Sequence, residues 1–199
     1  MKWYMWLARF ALLLLALVLL SGCGLDVQHE LLGDGSLRME DALRGHVRAQ
    51  EPGSANIVLI SSQPWRQSQA ILFRYETTGA HGQPVHHLGV AFAERSGLAG
   101  WLVRRSYTAV RYPAAMAHPL ETYVGTGLLP GSLRMYTRVG GHVNIGNAQR
   151  VLISYGDGDD IAVDLVDGYF LDLHEGRTPV PSIVALDADG KPIGKPVIR

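Results

Sequence analysis

The 199 residues include a single cysteine, Cys23, so no intrachain disulfide can form and no thiol pair exists for redox or metal work. Lysine is nearly as scarce, with three against fifteen arginines. No apolar run is long enough to cross a bilayer as a helix, which takes roughly 20 residues. The longest covers residues 10–20 and is closed on its N-terminal side by Arg9. Nucleotide and nucleophile signatures are missing as well: there is no Gly-x-Ser-x-Gly, no phosphate loop, no Gly-x-Gly-x-x-Gly and no His-Glu-x-x-His. These absences remove the disulfide scaffold, the helical membrane protein and the common motif-bearing enzymes, and leave a domain that its apolar core must hold together.

What is present begins at the N-terminus. Lys2 and Arg9 precede the apolar stretch, the charge-then-apolar order of an export signal. The stretch ends in Leu20-Ser21-Gly22-Cys23, a branched aliphatic residue, two small residues and a cysteine. This tetrad resembles the lipobox of bacterial lipoproteins. The resemblance implies that residues 1–22 are a signal peptide and that Leu20, Ser21 and Gly22 are read by signal peptidase II. It further implies that Cys23 is diacylglycerylated on its thiol, becomes the first mature residue and is acylated on its amine. Two or more acyl chains would make a stable anchor where one is marginal. The expected location is the bacterial envelope, outside the cytoplasm, with the lipid bilayer as partner through acylated Cys23.

Without Lys2 and Arg9 the mature part carries 16 basic and 18 acidic side chains, a formal charge of −2 that gives no reason to expect nucleic acid as a partner. The charge is uneven: residues 23–150 hold 12 basic and 9 acidic groups, residues 151–199 hold 4 and 9. A modest charge dipole results.

The body reads as mainly β (α+β): one N-terminal helix followed by antiparallel sheets, with a small β-sandwich at the C-terminal end. Residues 23–36, glycine-punctuated and aperiodic, read as a lipidated tether. Helical spacing of Leu37, Met39, Leu43 and Val47 predicts a helix over 37–50, stopped by Glu51-Pro52-Gly53. Period-two alternation then predicts strands at 56–62, 71–76, 85–94 and 101–112. In the last third, strands 151–155 and 161–166 flank Gly156-Asp157-Gly158-Asp159, and Asp167-Gly168 predicts a tight hairpin into 169–173. Strands 183–186 and 192–198 flank Asp187-Ala188-Asp189-Gly190, with Pro196 assigned to an edge. The strand-rich body with its Val-Asp-Gly-Tyr-Phe turn resembles secreted bacterial proteins that lack an assigned activity. Glycines and a proline over 125–131 suggest a connection between a 37–125 region and a docked 126–199 region. Leu128 and Leu129 are expected to pin that connection to the core.

Two short matches recur at an offset of 96 residues, Gly35-Ser36-Leu37-Arg38-Met39 with Gly131-Ser132-Leu133-Arg134-Met135 and Gly45-His46-Val47 with Gly141-His142-Val143. The first copy reads as helix and the second leads into a strand, so coincidence is the preferred account.

Candidate chemistry is sparse. Asp187-Ala188-Asp189-Gly190 fails as a calcium loop because Ala185 and Pro196 would occupy ligand positions 1 and 12. Asp157, Asp159 and Asp160 form an acidic tip read mainly as a solvated turn. Adjacent His86 and His87 face opposite ways on a strand and cannot share one ion unaided. No metal or other cofactor is expected. The apolar, proline-bracketed stretch over 112–119 is the preferred binding surface, with Tyr112, Met116 and His118 as its contacts. The functional expectation is a membrane-tethered, non-enzymatic binding or envelope-structural module. The competing expectation is a hydrolase or metal-binding protein whose His and Asp/Glu residues are gathered by folding.

Overall fold

The computed structural model describes residues 36–97, 100–110, 118–128 and 134–198; of Val110 and Ile198 it describes the backbone alone. The predicted signal, the lipobox and most of the tether lie outside these residues. The architecture is mainly β: the described residues form helix α1 (Met39–Gln50), eleven strands and three antiparallel sheets. Sheet A joins β1 (Ala55–Trp65), β2 (Ser68–Thr78), β3 (Pro84–Ser96) and β4 (Gly100–Val110) in sequence order. Sheet B has the order β5-β6-β9, from β5 (Leu120–Leu128), β6 (Met135–Val143) and β9 (Tyr169–Glu175). Sheet C has the order β11-β10-β7-β8, from β7 (Arg150–Ser154), β8 (Asp160–Asp164), β10 (Ser182–Leu186) and β11 (Pro192–Ile198).

The elements stack in four layers, helix, A, B and C, because both faces of sheets A and B are apolar at alternate positions. Leu43 and Val47 of α1 pack with Ile71, Phe73 and Ala91 on one face of sheet A. Leu72, Val90 and Phe92 on the other face meet Tyr136, Leu171 and Leu173 of sheet B. Val139 and Phe170, on the reverse of sheet B, meet Val151, Ile153 and Ile183 of sheet C. The helix also packs on the edge strands β1 and β4. Register shifts interrupt the β1–β2 and β3–β4 ladders.

The helix starts two residues later than expected: Leu37 is 87% exposed and precedes it. Ser36 is instead fixed as an extra bridge on sheet A, where its carbonyl accepts from Trp101 N at 3.0 Å. Gly100 makes room for this. Its φ is +87°, and a Cβ there would lie 2.5 Å from the Ser36 oxygen.

Two expectations are corrected. Residues Gly125 to Leu128 are not a connection; they belong to β5 and pair with Arg138 to Met135 of β6. Leu128 is 45% exposed and pins nothing, while Leu129 lies outside the described residues. The boundary drawn between 125 and 126 therefore falls inside a strand. The Asp167-Gly168 turn does form, with φ of +51° and +80° and Val166 paired to Tyr169. Its arms diverge at once, however. β8 continues in sheet C and β9 in sheet B, and the Gly168 carbonyl is taken by Val143 N of β6 at 2.8 Å. The turn is the hinge of a sandwich rather than the tip of a ladder. Pro196 does sit on an edge strand, β11. Met39 begins a helix where Met135 begins a strand, so the recurrent matches are not equivalent units.

Candidate functional site

The residues with metal-ligand chemistry converge where β9 leaves the core. Along β9 the even positions face sheet C and become steadily more polar. Phe170 is in the core, Asp172 accepts the Tyr155 hydroxyl proton at 2.6 Å, and His174 lies outermost. The His174 ring stacks on Tyr155 with centroids 4.1 Å apart, and its Nε2 is 2.8 Å from Asp157 Oδ2. Tyr155 is itself buried, so the platform under the imidazole is rigid.

The opposing hairpin is equally fixed. Tyr155 N donates to the Asp159 carbonyl at 2.8 Å, and Gly156 N to the Pro179 carbonyl at 2.8 Å. Asp157 Oδ1 accepts from Asp159 N at 3.3 Å, and the Thr178 hydroxyl reaches Asp157 Oδ2 at 3.5 Å. Behind it, the fully buried Thr137 hydroxyl donates toward the carbonyls of Gly176 and Thr178 and accepts from Thr178 N. The hydrogen bond from His174 holds the Asp157 carboxyl below the usual aspartate range. Burial, reinforced by the Asp172 carboxylate, pushes the Tyr155 phenol far up.

One ligand atom each from Asp157, Asp159 and His174 lies within 4.8 Å of the others. Ligands bonded to one ion at about 2.0–2.2 Å lie no more than about 4.4 Å apart, so the cluster is close to that spacing. One imidazole nitrogen and two carboxylates suit a borderline divalent cation such as zinc or manganese, with remaining positions left to water. Asp157 and Asp159 were visible in the sequence as an acidic tip. His174 was missed, because its nearness depends on β9 passing beside the β7–β8 hairpin. The available signal was its period-two step from Phe170 and Asp172. His86 and His87 have separate partners: His86 Nδ1 is 3.3 Å from Glu76, while His87 bonds Thr77 at 2.8 Å and stacks on Tyr75.

A serine–histidine pair also forms, with His46 Nε2 3.1 Å from Ser106 Oγ. The Ser106 hydroxyl donates to Gln50 Oε1 at 2.8 Å, so its proton points away from the imidazole. A nucleophile would need the opposite polarity. The contact ties α1 to β4.

Open grooves among the described residues include the following two. One, about 450 Å³, is bounded by Arg38, Met39, Glu40, Leu59 and Ser62. The other, about 360 Å³, includes His142, Asn144, Asp167 and Gly168 in its walls. Of the predicted binding residues, His118 is exposed beside the second groove, where its carbonyl accepts from Asn144 Nδ2 at 2.8 Å. Tyr112 and Met116 lie outside the described residues, as do Leu20, Ser21, Gly22 and Cys23. No protein-family model matches the chain, and neither a curated protein nor a solved structure matches it.

Proposed function

We propose that the protein is a lipoprotein of the bacterial envelope, its body a non-enzymatic binding or structural module held at a membrane by acylated Cys23. The observation that carries this reading is Leu20-Ser21-Gly22-Cys23 at the end of an uninterrupted apolar run, with Cys23 the sole cysteine. The first contact among the described residues, Ser36 on Trp101, comes 13 positions after Cys23. At about 3.3–3.6 Å per residue that length could hold the body up to ~45 Å from the lipid. Among the described residues no helix is long and apolar enough to cross a membrane. The test is metabolic labelling with a fatty acid. Wild type should incorporate label and run as a processed form, whereas Cys23→Ser should remain an unlabelled precursor. Equal labelling of both would refute the reading.

The Asp157–Asp159–His174 geometry favours a second, compatible reading, a divalent-cation site on the module. The cores are apolar, so folding does not depend on an ion, and a chelator should leave the melting temperature unchanged. Titrating zinc or manganese should raise it in the wild type and leave His174→Ala unmoved. Identical responses in the two proteins would rule the site out.

A further inference from the structure

Ser36 joins sheet A at one particular end, and that end has a composition of its own. Strands β1 to β4 form an antiparallel meander, so the β1–β2 and β3–β4 turns lie at the same end. Ser36 is bridged there to Trp101, at the start of β4 and opposite Arg95. Sheet B continues the surface. Trp65 at the end of β1 lies against Tyr136, ring centroids 6.3 Å apart, and Arg66 pairs with Glu175 at the end of β9. Next to Tyr136, Met135 pairs with Leu128 at the end of β5.

Apolar groups are left open at this end. Of the four large apolar side chains exposed among the described residues, the two leucines, Leu37 and Leu128, are both here. Trp65 and Trp101 are half-buried, Trp65 against the core between sheets A and B and Trp101 against the core under the helix. They are the only tryptophans after Cys23. An indole with one side in a core and the other wet suits the boundary between hydrocarbon and headgroups.

The charge around these groups is basic. Arg38 and Arg95 are exposed, and among the described residues neither side chain has a carboxylate partner. Acids close by are mostly taken: Asp41 by Arg44, Glu94 by Arg104 and Glu175 by Arg66, with Glu40 left over. The opposite end of sheet A differs, since its β2–β3 turn, Gly79-Ala80-His81-Gly82-Gln83, holds no arginine and no aromatic residue. The acidic β7–β8 hairpin belongs to sheet C, beyond sheet B, which confines the basic, apolar surface to the helix and sheet A side. Arginine beside leucine and tryptophan is the composition of a surface that meets anionic lipid headgroups.

We propose that this end of the helix and sheet A rests directly on an anionic phospholipid surface, with Leu37 and Leu128 entering the interface and Arg38 and Arg95 on lipid phosphates. The inference rests on the lipoprotein reading for the presence of a bilayer, but the contact itself needs no acyl chain. The 13 positions between Cys23 and Ser36 set only the greatest distance to the lipid. Mature protein carries 16 basic and 18 acidic side chains, so attraction to an anionic surface has to come from local arrangement rather than net charge.

The test uses the mature chain from residue 23 with Cys23→Ser, which carries no acyl chain and whose fold a cooperative melt confirms. It is sedimented at low salt with vesicles of phosphatidylcholine alone and of phosphatidylcholine with an equal part of phosphatidylglycerol. It should bind the second and not the first, and its tryptophan emission should move to shorter wavelength on binding, because both indoles lie at the contact. Arg38→Gln and Arg95→Gln should each weaken binding about fivefold. Leu37→Ser, at an exposed position that the fold does not need, should weaken it about fivefold or more. Lys191→Gln removes an exposed charge from the turn after β10 and should change binding less than about twofold. Failure to bind phosphatidylglycerol, binding without a tryptophan shift, or a Lys191→Gln effect equal to that of Arg95→Gln would overturn the proposal. Fatty-acid labelling of Cys23 without vesicle binding by the unlipidated chain would remove this contact and leave the anchor standing.

Discussion

Sheet B meets sheet A through one face and sheet C through the other, so the same three strands build two interfaces. Toward sheet C the fit is tight and its polar groups are matched. The buried Thr137 hydroxyl makes three contacts and the Tyr155 phenol ends on Asp172. Toward sheet A the contacts are aromatic and angular, with Phe92 edge-on to Tyr136 at 5.5 Å, and polar tips are left unmatched. Arginines bridge this interface from both sides: Arg138 of sheet B over Tyr107 of sheet A, and exposed Arg74 of sheet A toward Tyr169 of sheet B. A satisfied interface fixes a structure, whereas one with unmet donors has capacity for something else.

Two adjacent glycines of β6 put this contrast to its hardest test. A Cβ on Gly141, on the sheet C side, would stand 2.0 Å from the Glu121 carbonyl oxygen and 2.8 Å from the Phe170 ring. Backbone would have to move, so Gly141→Ala should cost about 3 kcal/mol. The atoms nearest a Cβ on Gly140 all belong to the Tyr123 side chain, at 2.7–2.8 Å. That ring sits at a half-open margin and can shift, so Gly140→Ala should cost about 1 kcal/mol. Urea denaturation of both variants decides it. Equal losses would mean that the two interfaces are equally rigid and the comparison fails.

Removing single hydroxyls gives a smaller and sharper contrast. Tyr155→Phe strips a donor from the Asp172 carboxylate and should destabilise by about 1–2 kcal/mol. Tyr123→Phe deletes a buried hydroxyl that bonds to nothing, and it should be neutral or stabilising by up to about 1 kcal/mol. Melts of the two variants side by side would contradict the bookkeeping if Tyr123→Phe proved the costlier change.

These interfaces also show what the sequence could reveal. The alternation Ile161, Val163 and the Asp-Gly punctuation gave away strands and turns, because both are local. The sheet to which each strand belongs is not local. Nothing in Val166-Asp167-Gly168-Tyr169 says that the flanking strands part company after one pair. Strand β5 stayed hidden for a related reason. Gly125 and Gly127 have turn-like composition, and their use beneath Arg138 and Tyr136 exists only once β6 lies alongside. The acidic half of the Asp157 cluster was legible as a run of aspartates. Its histidine, 17 residues away, was not, since the spacing reflects the path from sheet C to sheet B and no ligand motif.

The remaining interface, between α1 and sheet A, serves as a control on the other two, and its pH response has a definite sign. His46 is half-buried against Ser106, and burial lowers its pKa from the ordinary 6.5. His87, stacked on Tyr75, is shifted the same way, by burial first; Glu51 opposes the shift and His86 adds to it. A histidine with a depressed folded-state pKa binds its proton more readily when unfolded. Its contribution is complete above pH 6.5 and drains away as pH falls from there through the lowered value. His46→Gln keeps a hydrogen-bonding side chain beside Ser106 without that titration. The difference in melting temperature between wild type and His46→Gln should therefore shift against the wild type between pH 7.5 and pH 5. Gly140→Ala and Gly141→Ala, remote from both histidines, should keep a constant offset from wild type over the same range. A pH-independent gap for His46→Gln would show that the burial of His46 has no energetic weight, and a drifting offset in the glycine variants would show that the layers do not respond independently.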